Sequence, residues 1–145
     1  MTVFFSKKCE IGLQAVLFLS TYPKNTLFSA ETISNSINVP KEFVSKVLQT
    51  LTKSAIIGSK KGKEGGFFLA QDAAVIRLID IINAIDGLGV FKQCILGFPG
   101  CSVDEPCPVH EEWGKLRNEA YTMFSKETLA DLREKTTLKI TSLKK

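Results

Sequence analysis

Residues 40–69 read PKEFVSKVLQTLTKSAIIGSKKGKEGGFFL, and this run decides the fold. Pro40 suits the first position of a helix, where its missing N–H costs nothing. From there Phe43, Val44, Val47, Leu48 and Leu51 recur at helical spacing and are expected inward, while Lys41, Glu42, Ser45, Lys46, Gln49 and Lys53 point out. Ala55-Ile56-Ile57 ends the helix and opens a strand. Ile57-Gly58-Ser59 and Phe67-Phe68-Leu69 bracket Lys60-Lys61-Gly62-Lys63-Glu64-Gly65-Gly66, a hairpin with a glycine-rich tip bearing three lysines. Glycines let the backbone turn and approach another surface closely, and lysines can neutralise phosphates.

Upstream, Asn38-Val39-Pro40 is a turn. Ser29 is a good N-cap with Glu31 in the favourable first turn, so a second helix runs to about Ser36. Lys8 to Thr21 reads as a first helix, with Ile11, Ala15, Phe18 and Leu19 on one face and Pro23 stopping it. Two helices joined by a tight turn, the second with a polar and basic outer face, form a helix-turn-helix pattern. Many helical bundles share that much. A basic hairpin directly after it is a wing, and the plain alternative for its tip is a solvated loop. The fold class is therefore mainly α with a small β-hairpin, a winged helix-turn-helix expected to bind double-stranded DNA. Its DNA-facing set is Ser29, Pro40, Lys41, Glu42, Ser45, Lys46, Gln49, Lys53, Ser59, Lys60, Lys61, Gly62, Lys63 and Gly66. No G-x-x-x-x-G-K-[ST] occurs, so the glycines are not a phosphate loop of the Walker type.

Downstream, Asp72 can cap a fourth helix, Ala73 to Asp86, with Val75, Leu78, Ile79, Ile82 and Ile85 on one face, Ile76 and Ile81 on a second, and Gly87 ending it. Three of the four cysteines and the only histidine follow as Cys94, Cys101, Cys107 and His110, spaced C-x6-C-x5-C-x2-H. Gly97, Pro99 and Gly100 keep that segment from being a helix or a central strand. Thiolate and imidazole together suit zinc or iron–sulfur and are poor ligands for magnesium or calcium. Buried thiols unrelated to one another are the plain alternative, but three in a polar loop fit it badly. A structural zinc would use the same four ligands at tetrahedral geometry, with no sensing role. Cys9, far off in the first helix, reads as a packed thiol.

After the loop, Val109, Trp113, Leu116, Ala120 and Met123 recur at steps of four, three, four and three. This is a heptad stripe on one long helix, and beside a DNA-binding module it suggests a homodimer on a pseudo-palindromic operator. Ser125 is placed to cap a short last helix carrying Leu129 and Leu132, with a loosely ordered basic tail from about Thr136. Three segments result: a winged helix-turn-helix domain (1–87), a cysteine-rich cluster-binding loop (88–107), and a dimerisation helix with tail (108–145).

Composition agrees. The net charge of +4 over 145 residues is uneven, with nine Lys against four Glu in residues 1–70, two basic against seven acidic groups in 71–112, and eight basic against four acidic in 113–145. A basic first half suggests a polyanion partner. Lys7 and Lys8 before Ile11–Leu19 imitate a signal peptide, but Glu10 and Gln14 interrupt the run and no cleavage site follows. Nothing approaches the roughly 20 apolar residues of a membrane span, and a reducing cytoplasm is the expected compartment. A thiol enzyme is not expected, because there is no C-x-x-C and three thiols exceed what one nucleophile needs.

These elements together resemble the Rrf2 family of bacterial winged-helix regulators, the group of the IscR-like and NsrR-like proteins, over about residues 6–134. Lys53-Ser54-Ala55-Ile56-Ile57, Lys61-Gly62 with Gly65-Gly66-Phe67, Leu78-Ile79-Asp80-Ile81-Ile82-Asn83-Ala84, the three-cysteine loop and Thr128-Leu129-Ala130-Asp131-Leu132 carry the likeness. The resemblance implies a DNA-binding dimer joined through its long C-terminal helix. It also implies an iron–sulfur cluster on Cys94, Cys101 and Cys107, with His110 matching the histidine ligand of the branch that holds two irons and two sulfides. This sequence departs from that branch in a first cysteine gap one residue longer, in Lys61 for a common arginine, in Phe67 for a common tyrosine, in Glu10 for a common basic residue, and in Ser45 where a glutamate takes part in base selection. The implied function is a transcription regulator sensing iron–sulfur, nitric oxide or redox status.

Overall fold

The computed structural model describes residues 4–144. Helix α1 spans Lys7–Ser20, α2 Ala30–Ile37 and α3 Lys41–Lys53; the strands β1 (Ile57–Lys60) and β2 (Gly66–Leu69) follow; then come α4 (Leu78–Ile85), α5 (His110–Lys126) and α6 (Arg133–Ser142). The mainly helical winged fold read from residues 40–69 is present. No described helix is long and apolar enough to cross a membrane.

Three caps set the helices that matter most. The Ser6 hydroxyl accepts from the Cys9 amide to start α1, and Ser29 accepts from Thr32 to start α2, each at 3.0 Å. Asn38 closes α2 in the left-handed region at φ 56°, a conformation asparagine tolerates. Pro40 stands just before α3 as its cap residue. The helices converge on one core, in which Val16 and Leu19 of α1, Ile33 of α2, Val44, Leu48 and Leu51 of α3, Ile81 of α4 and Leu129 are fully buried. Each such side chain stabilises the fold by about 1.5–3 kcal/mol relative to exposure.

The wing is a two-stranded antiparallel hairpin in the register Ile57↔Leu69 to Lys60↔Gly66. A single further rung joins it to the α1–α2 connection, where Phe28 and Phe67 exchange both backbone hydrogen bonds, at 2.9 and 2.7 Å. Gly66 makes this possible: a Cβ there would lie 2.5 Å from the Phe28 carbonyl oxygen, and its φ is +149°. At the tip, Gly62 turns the chain at φ +106°.

Four local expectations are corrected. The fourth helix starts at Leu78 rather than Ala73. Asp72 instead accepts from the Ala74 amide at 2.9 Å in a turn, and Arg77 is held extended by its bridge to Thr128. Val75 is consequently exposed while Ile76 is buried. Phe43 does not face inward but stands 56% exposed on α3. Ser125 lies inside α5, and the Thr128–Leu132 turn separates it from α6. The segment from Thr136 is helical, because α6 lies back on α1: Arg133 Nε donates to the Ser20 carbonyl at 2.9 Å and Thr136 is buried.

Candidate functional site

Two groups of side chains stand apart from the core. The first is on α3 and the wing. Lys41, Glu42, Lys46, Gln49 and Lys53 are exposed along α3, and Ser45 among them is half-buried. Their exposure follows from the inward row Val44, Val47, Leu48 and Leu51, which fixes the rotation of the helix. Ser59, Lys60, Lys61, Gly62 and Lys63 are exposed on the hairpin, while Gly66 lies half-buried against Phe28. The Ser29 hydroxyl is engaged as the α2 cap, and Pro40 is exposed at the entry to α3.

Lys7 and Lys8, which the sequence reading did not place beside α3, lie next to this group. Both are exposed in the first turn of α1, and they line one groove with Phe43 and Lys46 of α3. The signal was visible as a basic pair, but it was read against a signal peptide rather than against the helix that packs beside it.

The second group is the cysteine loop between α4 and α5. Gly87, at φ +74°, turns the chain out of α4, and Gly97 and Gly100 also adopt positive φ within the loop. The Sγ atoms of Cys94, Cys101 and Cys107 all lie within 4.8 Å of one another, with those of Cys94 and Cys107 3.5 Å apart. All three are free thiols and half-buried. His110 opens α5 and turns its Nδ1 to within 3.2 Å of Cys101 Sγ. The Cys107 amide is also directed at the Cys101 sulfur, at 3.4 Å. Three convergent soft donors with an imidazole alongside could hold a metal, since ligands on one tetrahedral zinc, bonded at about 2.3 Å, stand about 3.8 Å apart.

The loop also tunes its thiols. Burial works against the Cys94 thiolate, but the backbone amides of Phe98 and Leu96 and the Cys107 and Cys101 thiols outweigh it and bring the group down to about 7. Burial raises Cys107, and the neighbouring Cys94 and Cys101 add to the rise. The pair is thus set to lose one proton readily and the second reluctantly, as expected when two anions would share one site. Cys9 is fully buried in the first helix and is not among the three converging thiols.

Around the loop, the Trp113 indole N–H donates to the Gln93 carbonyl at 2.8 Å. The ring also packs edge-on against Phe4, at 6.0 Å between centroids. This side of α5 is therefore engaged by its own chain. Leu116 and Met123, on the same heptad stripe, are 56% and 60% exposed, and Val109 and Ala120 are half-buried.

Comparison with known proteins fits this picture. A family model, Rrf2, described as iron-dependent transcriptional regulator, matches residues 5–135. An HTH-type transcriptional regulator of Aquifex aeolicus is 31% identical over 132 residues, 90% of this chain and 91% of that protein. Among solved structures, CymR, the global cysteine regulator of B. subtilis, superposes with a TM-score of 0.74 at 21% identity, over 92% of this chain and 98% of its own. IscR of T. potens superposes with a TM-score of 0.68 at 23% identity, over 90% and 85%. At those identities the structural likeness speaks for the fold. The sequence relative carries the name of a transcriptional regulator.

Proposed function

Because the chain belongs to the Rrf2 family of transcriptional regulators, which bind DNA, we propose that it is a homodimeric repressor or activator whose operator affinity is set by a metal centre in its cysteine loop. In this reading residues 1–87 bind DNA, 88–107 hold the centre and 108–145 dimerise. The observation that carries it is the convergence of the Cys94, Cys101 and Cys107 sulfurs within 4.8 Å, in a loop joining the winged domain to α5.

The thiolates of Cys94, Cys101 and Cys107 and the imidazole of His110 would hold a two-iron, two-sulfide cluster. When bound, such a cluster supplies a redox-active centre open to oxidants and nitric oxide. The protein's own contribution is mechanical. Gly87 and His110 mark where α4 ends and α5 begins, so ordering the chain between them fixes the angle at which α5 leaves the winged domain. That angle sets the spacing between two winged domains in a dimer, and with it the fit to two half-sites. On α3, Ser45 and Gln49 are suited to base edges, and the wing lysines to phosphate. A reducing cytoplasm is the compartment that suits such thiols.

Zinc in the same loop, without sensing, is a second reading, and the close approach of the three sulfurs favours it. An ultraviolet–visible spectrum with iron, sulfide and zinc analysis on anaerobically purified protein separates the two. The cluster reading expects a brown protein that loses its visible absorbance in each of Cys94→Ala, Cys101→Ala and Cys107→Ala and keeps it in Cys9→Ala. A colourless protein with stoichiometric zinc would replace the cluster with the second reading.

A further inference from the structure

The exposed face of α3 does not end at its polar residues. Beside it the first turn of α1 completes a groove of about 510 Å³, with Ile11 and Val47 among its lining and Lys7, Lys8 and Lys46 as its cations. Phe43 also lines it and stands 56% exposed. A single exposed aromatic is ordinary on a protein surface. This one is the third residue of α3 and shares its groove with three cations.

The charges are available. Lys7 approaches Glu10 at 3.5 Å, but the Lys7 side chain is 71% exposed, and such surface pairs hold weakly. Among the described residues Lys8 has no carboxylate within 4.0 Å. Glu42 is the nearest acid in sequence on α3 and is exposed.

We propose that this groove is part of the DNA-binding surface, with Lys7 and Lys8 neutralising backbone phosphates beside the major-groove site and Phe43 packing on the methyl group of a thymine. The inference rests on the reading of α3 and the wing as the DNA interface, and extends that interface to α1. A recognition helix meets base edges with its N-terminal residues, which is where Phe43 stands. In the major groove the thymine methyl is the apolar mark that a phenylalanine can read. Lysines flanking such a site fix the protein on the sugar–phosphate chain without reading sequence. The two kinds of contact leave different signatures, so each can be lost separately.

The test uses the 145-residue protein and the duplex it selects from a randomised library, with a scrambled duplex of the same composition as reference. Binding is followed by fluorescence anisotropy over a range of salt. The Lys7→Ala/Lys8→Ala variant is expected to weaken both duplexes alike and to reduce the log–log salt slope by about two units. Lys7→Arg/Lys8→Arg should restore the slope. Phe43→Ala should abolish the affinity difference between thymine and uracil at one position of the selected site and leave the scrambled duplex unaffected. A salt slope unchanged in the double alanine variant, with wild-type circular dichroism and melting temperature, overturns the phosphate role, and a retained thymine preference in Phe43→Ala overturns the methyl contact. If the wild-type protein selects no duplex at all, it is the DNA-binding reading that fails. A Lys60→Ala/Lys61→Ala/Lys63→Ala control that flattens the slope while the α1 variant does not confines the failure to this groove.

Discussion

Ser6 and Asp86, eighty residues apart in the chain, hold each other: the Ser6 amide donates to one carboxylate oxygen at 2.8 Å and its hydroxyl donates to the other. The same hydroxyl caps α1 by accepting from Cys9. Asp86 closes α4 and directly precedes Gly87, where the cysteine loop begins. One side-chain pair therefore ties the start of α1 to the root of the loop. Asp86→Ala removes two hydrogen bonds to a charged group and is expected to lower stability by about 1–2 kcal/mol. By thermal denaturation that is a fall of roughly 3–6 °C; an unchanged melting temperature would show that the pair contributes nothing in solution.

The thiols should differ sharply in reactivity. Burial, then the Asp86 carboxylate beside it, pushes the Cys9 thiol up to about 12, whereas Cys94 is held near 7. A lowered thiol pKa means that thiolate, the reacting form, prevails above that pH. In metal-free protein at pH 8, iodoacetamide should modify Cys94 before Cys107 and leave Cys9 intact. The Cys94 rate should fall as pH drops through 7. Peptide mass spectrometry reads the order, and early labelling of Cys9 in folded protein would contradict it.

The wing makes a prediction about salt rather than about sequence. Lys60, Lys61 and Lys63 are exposed at a tip that Gly62 bends. Changing one to Ala should weaken binding to all duplexes and lower the salt slope by about one unit. An unchanged slope in the triple variant would remove the wing from the interface.

Leu116 and Met123 are uncovered on α5, whereas Trp113 of the same stripe is engaged by Gln93 and Phe4. Leu116→Glu places a charge in the proposed seam, and an unpaired buried charge is strongly unfavourable. Light scattering should then report a monomer. A dimer that survives the change would move the seam off this face of α5.

Much of this was legible in the chain. Residues 40–69 specified helix, strand, lysine tip and strand, because an inward row at helical spacing is followed by glycines only a turn can use. Ser29 and Gly87 punctuate helices where expected. Two of the misreadings depend on a partner distant in sequence. Arg77 is drawn out of α4 by Thr128, and α6 is held by Ser20 and the flank of α1. Phe43 fitted an apolar periodicity, but four other residues of α3 already fill the core side. For the site, the spacing of the cysteines announced a shared ligand, and the structure adds that the three sulfurs converge. The place of Lys7 and Lys8 beside α3 was not legible, because only the packing of α1 against α3 gives them those neighbours.

The central claim is that the cysteine loop controls DNA binding. It is tested most directly by measuring affinity for the selected duplex at one salt concentration, with metal-loaded and metal-free protein, each shown by light scattering to be a dimer. The account predicts different affinities for the two forms, and loss of that difference in Cys101→Ala. Equal affinities for the two dimers would contradict it and leave any metal in the loop a structural one.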